Sequence, residues 1–194
     1  MQSIQKYAYI VLALTIAAAA GVVYISSRSS QMALDTLQSS QNNVVFQSAP
    51  ADPKNGTYMI NGVEFKLVSG EAEKETIPGS ASKDIVKIFG EPVYGDINAD
   101  GKDEAVMFLS MQSGGSGTFF YAVASYKTDN AYIGGDAVFL GDRIVPKNIN
   151  INTDGEISVS YIGRREGEPM TAIPSMNTGK HLVVENGVLM EKTK

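Results

Sequence analysis

The chain has 194 residues, a formal net charge of −5 and a pI of about 4.9. This acidic balance gives no support to a nucleic-acid partner, because nucleic-acid binding usually needs a basic face. The absence of cysteine excludes disulfides, thiolate metal sites, a cysteine nucleophile and a lipid-modified N-terminal cysteine. With 43% hydrophobic residues and 19 glycines, the composition is typical of a sheet protein that turns often.

Residues 1–28 are predicted to be a membrane anchor or a signal segment. Residues 7–25 carry no charge, and at about 1.5 Å per residue they span roughly 28 Å, close to the ~30 Å hydrocarbon core of a bilayer. The alternative is a cleaved signal peptide with the alanines at 18–20 as its cleavage site. A retained anchor is favoured, because the apolar residues 22–25 would make an unusual mature terminus.

Residues 29–55 are rich in Ser, Gln, Asn, Ala and Pro, and they are predicted to be a flexible linker. The folded domain is predicted at residues 56–194. It should open with a hairpin, since Asn61-Gly62 tolerates the positive φ angles of a type I′ turn. Val63, Phe65 and Leu67 alternate with polar residues and should face the core. Residues 71–82 are predicted to be a polar excursion, and 83–89 either a short strand or a short helix.

A central hairpin is predicted from two apolar runs, at 105–111 and 118–126, joined by a glycine-rich turn. Short strands follow at 137–140, 148–152, 156–161, 180–185 and 188–190, with turns at Asp154-Gly155 and Asn186-Gly187. This spacing predicts a mainly β fold, with antiparallel sheets in a sandwich or barrel-like arrangement, after an N-terminal transmembrane or signal helix.

The stretch before the central hairpin has the spacing of a cation-binding loop. Oxygen-bearing side chains occupy loop positions 1, 3, 5 and 9: Asp96, Asn98, Asp100 and Glu104. Gly101 stands at position 6, where such loops turn sharply, and Lys102 can offer its backbone carbonyl at position 7. Position 12 is Met107, so the bidentate glutamate of an EF-hand is missing. These five ligands predict a structural Ca²⁺ site; the alternative is an Asx-rich turn satisfied by its own backbone.

The segment GDINADGKDEAVMF resembles the calcium loops of FG-GAP repeats and, less closely, those of dockerins. In FG-GAP repeats a DxNxDGxxD-type loop runs straight into a strand, and here Glu104 stands where Asp is usual. The resemblance covers about a dozen residues and implies Ca²⁺ bound by the same five residues. Residues 56–191 resemble a domain of uncharacterised exported bacterial proteins and lipoproteins, through GDINADGKDEAVMF, GGSGTFFYAVASY, GDRI and GEPM. That resemblance implies no activity, and the lipid-attachment cysteine common there is lacking.

These features together predict a membrane-tethered, extracytoplasmic β domain that crosses the bilayer once and faces the periplasm or the outside. We expect a non-enzymatic cell-envelope binding module whose partners are the membrane, through the N-terminal helix, and an unidentified envelope or extracellular molecule. The alternative is a hydrolase of envelope polymers that uses dispersed carboxylates such as Asp136, Asp142 and Glu168. The single histidine, His181, is expected to be structural or surface-exposed, because no nucleophile motif accompanies it.

Overall fold

The structure, a computed structural model, describes residues 51–193 and is almost wholly β. A short 3-10 helix, Pro53–Asn55, precedes twelve strands. The strands are β1 (Thr57–Ile60), β2 (Val63–Lys66), β3 (Glu71–Glu75), β4 (Lys83–Gly95), β5 (Glu104–Ser113), β6 (Phe119–Lys127), β7 (Tyr132–Asp136), β8 (Val138–Asp142), β9 (Val145–Ile151), β10 (Ile157–Gly163), β11 (Met176–Glu185) and β12 (Val188–Glu191). The prediction of a mainly β fold is confirmed.

The strands form two sheets. The larger has eight strands in the order β2-β1-β7-β6-β5-β4-β3, with β8 also paired to β6, and the smaller has the order β12-β11-β10-β9. The edge strands β2 and β3 approach each other, so the larger sheet is nearly closed and barrel-like. Within residues 51–193, all strand pairs are antiparallel except one, because β1 lies parallel to β7. That parallel pair corrects the prediction of purely antiparallel sheets.

The central hairpin, β5 and β6, separates two hydrophobic cores. Side chains alternate across the plane of a strand, so one face of β5 sends Val106 and Phe108 toward the smaller sheet. The other face sends Met107 and Leu109 into the interior of the curled sheet. Both faces are therefore buried, which explains why these two strands read as continuous apolar runs rather than as alternating ones.

The local turn signals in the sequence are confirmed. Asn61 and Gly62 both have positive φ, 51° and 75°, between β1 and β2, as a type I′ turn requires. Asn186 and Gly187 repeat this geometry between β11 and β12. The burial pattern of β2 corrects one expectation, because Val63 is 37% exposed at the turn while Phe65 and Leu67 are buried as predicted.

Two strands were not predicted. Residues 71–75, interpreted as a polar excursion, form β3, which pairs with β4 although it has almost no apolar residue. Cross-strand ion pairs accompany this pairing, with Lys87 bonded to Glu71 at 2.8 Å and Lys83 bonded to Glu73. The segment 83–89, left open between strand and helix, is strand β4. The glycine-containing β7 was also missed.

Residues 51–55, which precede the predicted domain start at Gly56, contact the β domain. Pro53 is buried, its carbonyl accepts a 2.6 Å hydrogen bond from the Tyr58 hydroxyl, and the Lys54 carbonyl accepts from the amide of Gly70. Residues 51–55, part of the predicted linker, are thus packed on the domain. The predicted anchor or signal segment and the rest of the linker lie outside the described residues. Within residues 51–193, no helix is long and apolar enough to cross a membrane.

Candidate metal centre and the adjoining cleft

The predicted cation loop connects β4 to β5. Its two ends are held together because Gly95 pairs with Glu104, and Tyr94 with Ala105, in the antiparallel ladder. Residues 96–103 form the loop between these two paired ends. The strand begins at Glu104, one residue before the predicted apolar run at 105–111, and the ninth position of the loop motif is fixed by a sheet rather than by a helix.

The Asp96 carboxylate organises the loop backbone. Its Oδ2 accepts a hydrogen bond from the amide of Gly101 at 2.9 Å, and its Oδ1 accepts from the amide of Asp100 at 3.2 Å. The bond from Gly101, followed by those from other loop amides, holds the pKa of Asp96 below its usual value despite some desolvation. Gly101 has φ 79° and Ala99 φ 60°, so the chain turns through two left-handed residues.

Three of the five predicted ligands come together. Asp96, Asp100 and Glu104 each place one carboxylate oxygen within 4.8 Å of the other two. Oxygens that surround one Ca²⁺ at about 2.3–2.6 Å can be at most about 4.6–5.2 Å apart, so this separation fits a shared cation. The carboxylates of Asp96 and Asp100 come from the loop, whereas that of Glu104 comes from the core strand β5.

The remaining two predicted ligands are exposed and occupied with local contacts. The Asn98 side-chain oxygen accepts from the amide of Asp100 at 2.9 Å. Lys102 donates its amide to Asp100 Oδ1 at 2.9 Å. A self-contained Asx turn would form the same hydrogen bonds, so these contacts are compatible both with a Ca²⁺ site and with a simple turn.

Glu104 is the residue that a simple turn does not explain. Its side chain is buried, at 3% exposure, and the one hydrogen bond it accepts, from the amide of Ile97, is long at 3.3 Å. Burial raises the pKa of Glu104, and the neighbouring carboxylates Asp100, Asp96 and Asp103 raise it further. Among residues 51–193, no lysine, arginine or histidine forms an ion pair with any of the three clustered carboxylates.

The loop is anchored to the rest of the domain through Ile97. This residue is buried in the core between the two sheets, in the same cluster as Ile157. The turn between β9 and β10 packs directly against it: a Cβ at Gly155 would lie 3.1 Å from the Asp96 carbonyl oxygen and 3.2 Å from the Ile97 Cα. Gly155 also has φ 77°. The Asp154-Gly155 turn was predicted only as a hairpin turn, and its support of the loop could not be read from sequence.

A cleft of about 660 Å³ opens beside the carboxylate cluster. Asp100 and Glu104 form part of its wall, and three tyrosines from three different strands form another part: Tyr94, Tyr126 and Tyr132. Burial raises the pKa values of Tyr126 and Tyr132. Sequence reasoning did not find this cleft, because its tyrosines come from three different strands and the strand that contains Tyr132 was not predicted.

The three carboxylates named for the alternative hydrolase each have different neighbours. Asp142 accepts a 3.0 Å bond from the amide of Thr118 and contacts Arg143, and Glu168 is bonded to Arg165. Asp136 ends β7 at a register position opposite Met59 of β1. None of these contacts brings Asp136, Asp142 and Glu168 together, and no observation on the described residues favours their joint action.

His181 is exposed, on strand β11. Its Nδ1 lies 2.9 Å from Glu156 Oε1 and 3.3 Å from Ser158 Oγ. A catalytic triad needs the acid on one ring nitrogen and the nucleophile on the other, whereas here both groups meet the same nitrogen. The arrangement is therefore a surface hydrogen-bond cluster.

Comparisons with protein-family models, with curated proteins and with solved structures gave no match.

Proposed function

We propose that this chain is a membrane-tethered, extracytoplasmic binding domain of the cell envelope whose fold is stabilised by Ca²⁺ at the acidic loop. The observation that carries the metal site is the convergence of Asp96, Asp100 and Glu104 within 4.8 Å. Hard carboxylate oxygens at this spacing are the ligands that Ca²⁺ prefers. The ion would neutralise the clustered carboxylates and so stabilise the fold, and it would take no part in a chemical reaction.

The electrostatics of the loop support a cation. Glu104 is buried without an ion-pair partner among residues 51–193, and two further carboxylates lie beside it. Like charges at this distance repel, and a buried charge is costly unless it is paired. A divalent cation would offset both effects at once. The side-chain oxygen of Asn98 and the carbonyl of Lys102 are the further ligands that the loop spacing supplies.

Calcium is favoured over magnesium by the character of the ligands. The set consists of protein oxygens from the loop and from a strand, which Ca²⁺ accepts with tolerant geometry, whereas Mg²⁺ demands a near-ideal octahedron and keeps several of its waters. A loop without a bidentate position-12 glutamate should also bind weakly, as extracellular modules with millimolar affinities do. This agrees with the extracytoplasmic location expected from the apolar segment at residues 7–25.

Terbium luminescence tests the site. Tb³⁺ replaces Ca²⁺ in oxygen-ligand sites and emits when a nearby tyrosine is excited; the chain has no tryptophan, and Tyr94, Tyr126 and Tyr132 line the cleft beside the cluster. The purified protein should show a saturable terbium signal that Ca²⁺ displaces and Mg²⁺ displaces poorly. Asp100→Asn should abolish it, since asparagine keeps the hydrogen bond to the Lys102 amide but loses the charge.

The control for that experiment is Asp103→Asn, which removes the same charge three residues later from a carboxylate outside the cluster. Its terbium affinity should stay close to that of the wild type. Equal signals from wild type and Asp100→Asn would mean that the loop is only an Asx turn. The location is tested separately: protease added to intact cells, with the outer membrane opened where there is one, should digest the domain, and complete protection until the inner membrane is opened would contradict the proposed topology.

A further inference from the structure

The cleft beside the acidic loop is built from rigid parts of the larger sheet. Tyr94 comes from β4, Tyr126 from β6 and Tyr132 from β7. Tyr94 is 52% exposed, whereas Tyr132 is buried, at 6% exposure. A volume of about 660 Å³ lies within the usual range of ligand clefts, about 300–1,000 Å³. The cleft thus has an aromatic face that is fixed by strands rather than carried on a loop.

The polar wall of the cleft includes four charged side chains that form no ion pair with the described residues. Asp103, Asp129, Lys102 and Lys127 all line it, and none of the four forms an ion pair within residues 51–193. The carboxylates can accept hydrogen bonds and the lysine ammonium groups can donate them. A ligand that both donates and accepts hydrogen bonds, and that also has an apolar face, would complement these charged groups and the tyrosines beside them.

We propose that this cleft binds a neutral saccharide, such as a hexose or N-acetylhexosamine unit of an envelope polymer. The C–H face of a pyranose ring would pack on the exposed Tyr94 ring, and its hydroxyl groups would donate to Asp103 and Asp129 and accept from Lys102 and Lys127. The inference rests on the proposed binding function and names its ligand class.

The charges of the cleft argue against other ligand classes. With Ca²⁺ bound at the loop, the four carboxylates of the cleft wall are balanced by the ion and the two lysines, so the wall keeps no net positive charge that would select phosphorylated ligands or polyuronic acids. A lipid chain would leave these charged groups buried without partners. An organic cation would suit the tyrosines and carboxylates but would meet Lys102 and Lys127 on the same wall.

Calorimetric titration of the purified full-length protein in detergent, with Ca²⁺ present, tests the proposal. The titrants are cellotetraose, maltotetraose and the tetramer of N-acetylglucosamine, with tetragalacturonate and choline as competing ligand classes. At least one neutral tetrasaccharide should bind, and Tyr94→Ala should weaken its binding by about tenfold or more, because a stacking surface is lost. Asp103→Ala should weaken it by several-fold without changing calcium binding.

The matched control is Phe139→Ala. Phe139 is as exposed as Tyr94, at 48%, but lines a different groove together with Phe119 and Tyr121. This variant should bind the saccharide as the wild type does. Equal loss in Tyr94→Ala and Phe139→Ala would overturn the assignment to this cleft, and so would binding of choline or tetragalacturonate alone.

Calcium stabilisation is measured in the same samples, so the two ideas fail separately. A protein that calcium stabilises but that binds none of the three neutral saccharides would refute this inference and leave the loop assignment intact. A protein that binds saccharide through Tyr94 but gives no response to calcium would refute the metal site and leave the cleft assignment intact.

Discussion

Replacing Glu104 with glutamine should stabilise the calcium-free protein and remove most of the stabilisation that calcium provides. Two unit charges 4.8 Å apart repel by about 0.9 kcal/mol in water and by about 3.5 kcal/mol at an effective dielectric constant of 20. Glu104 is buried but its two partners contact water, so the lower part of this range applies. We therefore expect Glu104→Gln to raise the free energy of unfolding without calcium by about 1–2 kcal/mol.

The same variant should lose most of the stabilisation that calcium provides, because the glutamine amide is a weaker ligand than the carboxylate and carries no charge. Wild type should gain about 2.7 kcal/mol at a hundredfold excess of calcium over Kd, and Glu104→Gln should gain only a small part of this. The hydrogen bond from the Ile97 amide is kept by the glutamine carbonyl oxygen, so the turn itself is not disturbed.

Urea unfolding followed by far-UV circular dichroism measures both effects, with chelator in one series and calcium in the other. Asp103→Asn is the control for the loss of one negative charge, and it should keep the calcium response. The reasoning is refuted if Glu104→Gln destabilises the protein equally in both series. That result would mean that Glu104 is a structural partner of Ile97 and that the three carboxylates do not share a cation.

Further predictions concern the packing around Tyr58, the buried tyrosine of β1. Gly134→Ala should cost several kcal/mol or prevent folding, because its Cβ would lie 2.2 Å from a Tyr58 ring carbon, whereas Gly135→Ala, with no heavy atom nearer than 3.9 Å, should be nearly neutral in urea unfolding. Tyr58→Phe should cost about 1–2 kcal/mol, since the Pro53 carbonyl and Ser125 hydroxyl lose their partner. Burial raises the pKa of Tyr58 to about 12, so the folded state keeps a proton that the unfolded state releases above pH 10. Stability should therefore fall between pH 10 and 12, by up to about 2.7 kcal/mol from this residue, and Tyr58→Phe should flatten that part of the pH profile.

The elements that sequence predicted well are those determined by local chemistry. Asn61 and Gly62 form their turn because both accept positive φ. The apolar runs of β5 and β6 became the central strands, although their burial on both faces appeared only in the structure. The convergence of Asp96, Asp100 and Glu104 is local for the same reason, because alternate spacing brings side chains of one short segment together; their binding of a cation stays a prediction.

The features that sequence could not predict depend on pairing between distant segments. Strand β3 has no apolar face, and it is a strand because β4 offers it a partner and lysines for its glutamates. The parallel pairing of β1 with β7 joins residues more than seventy positions apart. The tyrosine face of the cleft needs β4, β6 and β7 to lie in one sheet, with β5 between β4 and β6. The fit of Gly155 against Ile97 likewise depends on how the second sheet packs on the first.

Thermal unfolding of the purified full-length protein, with saturating calcium and with chelator, tests the central claim most directly. Calcium should raise the melting temperature of the wild type, magnesium should do so poorly, and Asp100→Ala should yield a folded, less stable protein with no calcium response. Identical melting of the wild type and Asp100→Ala, with and without calcium, would contradict the account and reduce the loop to a turn.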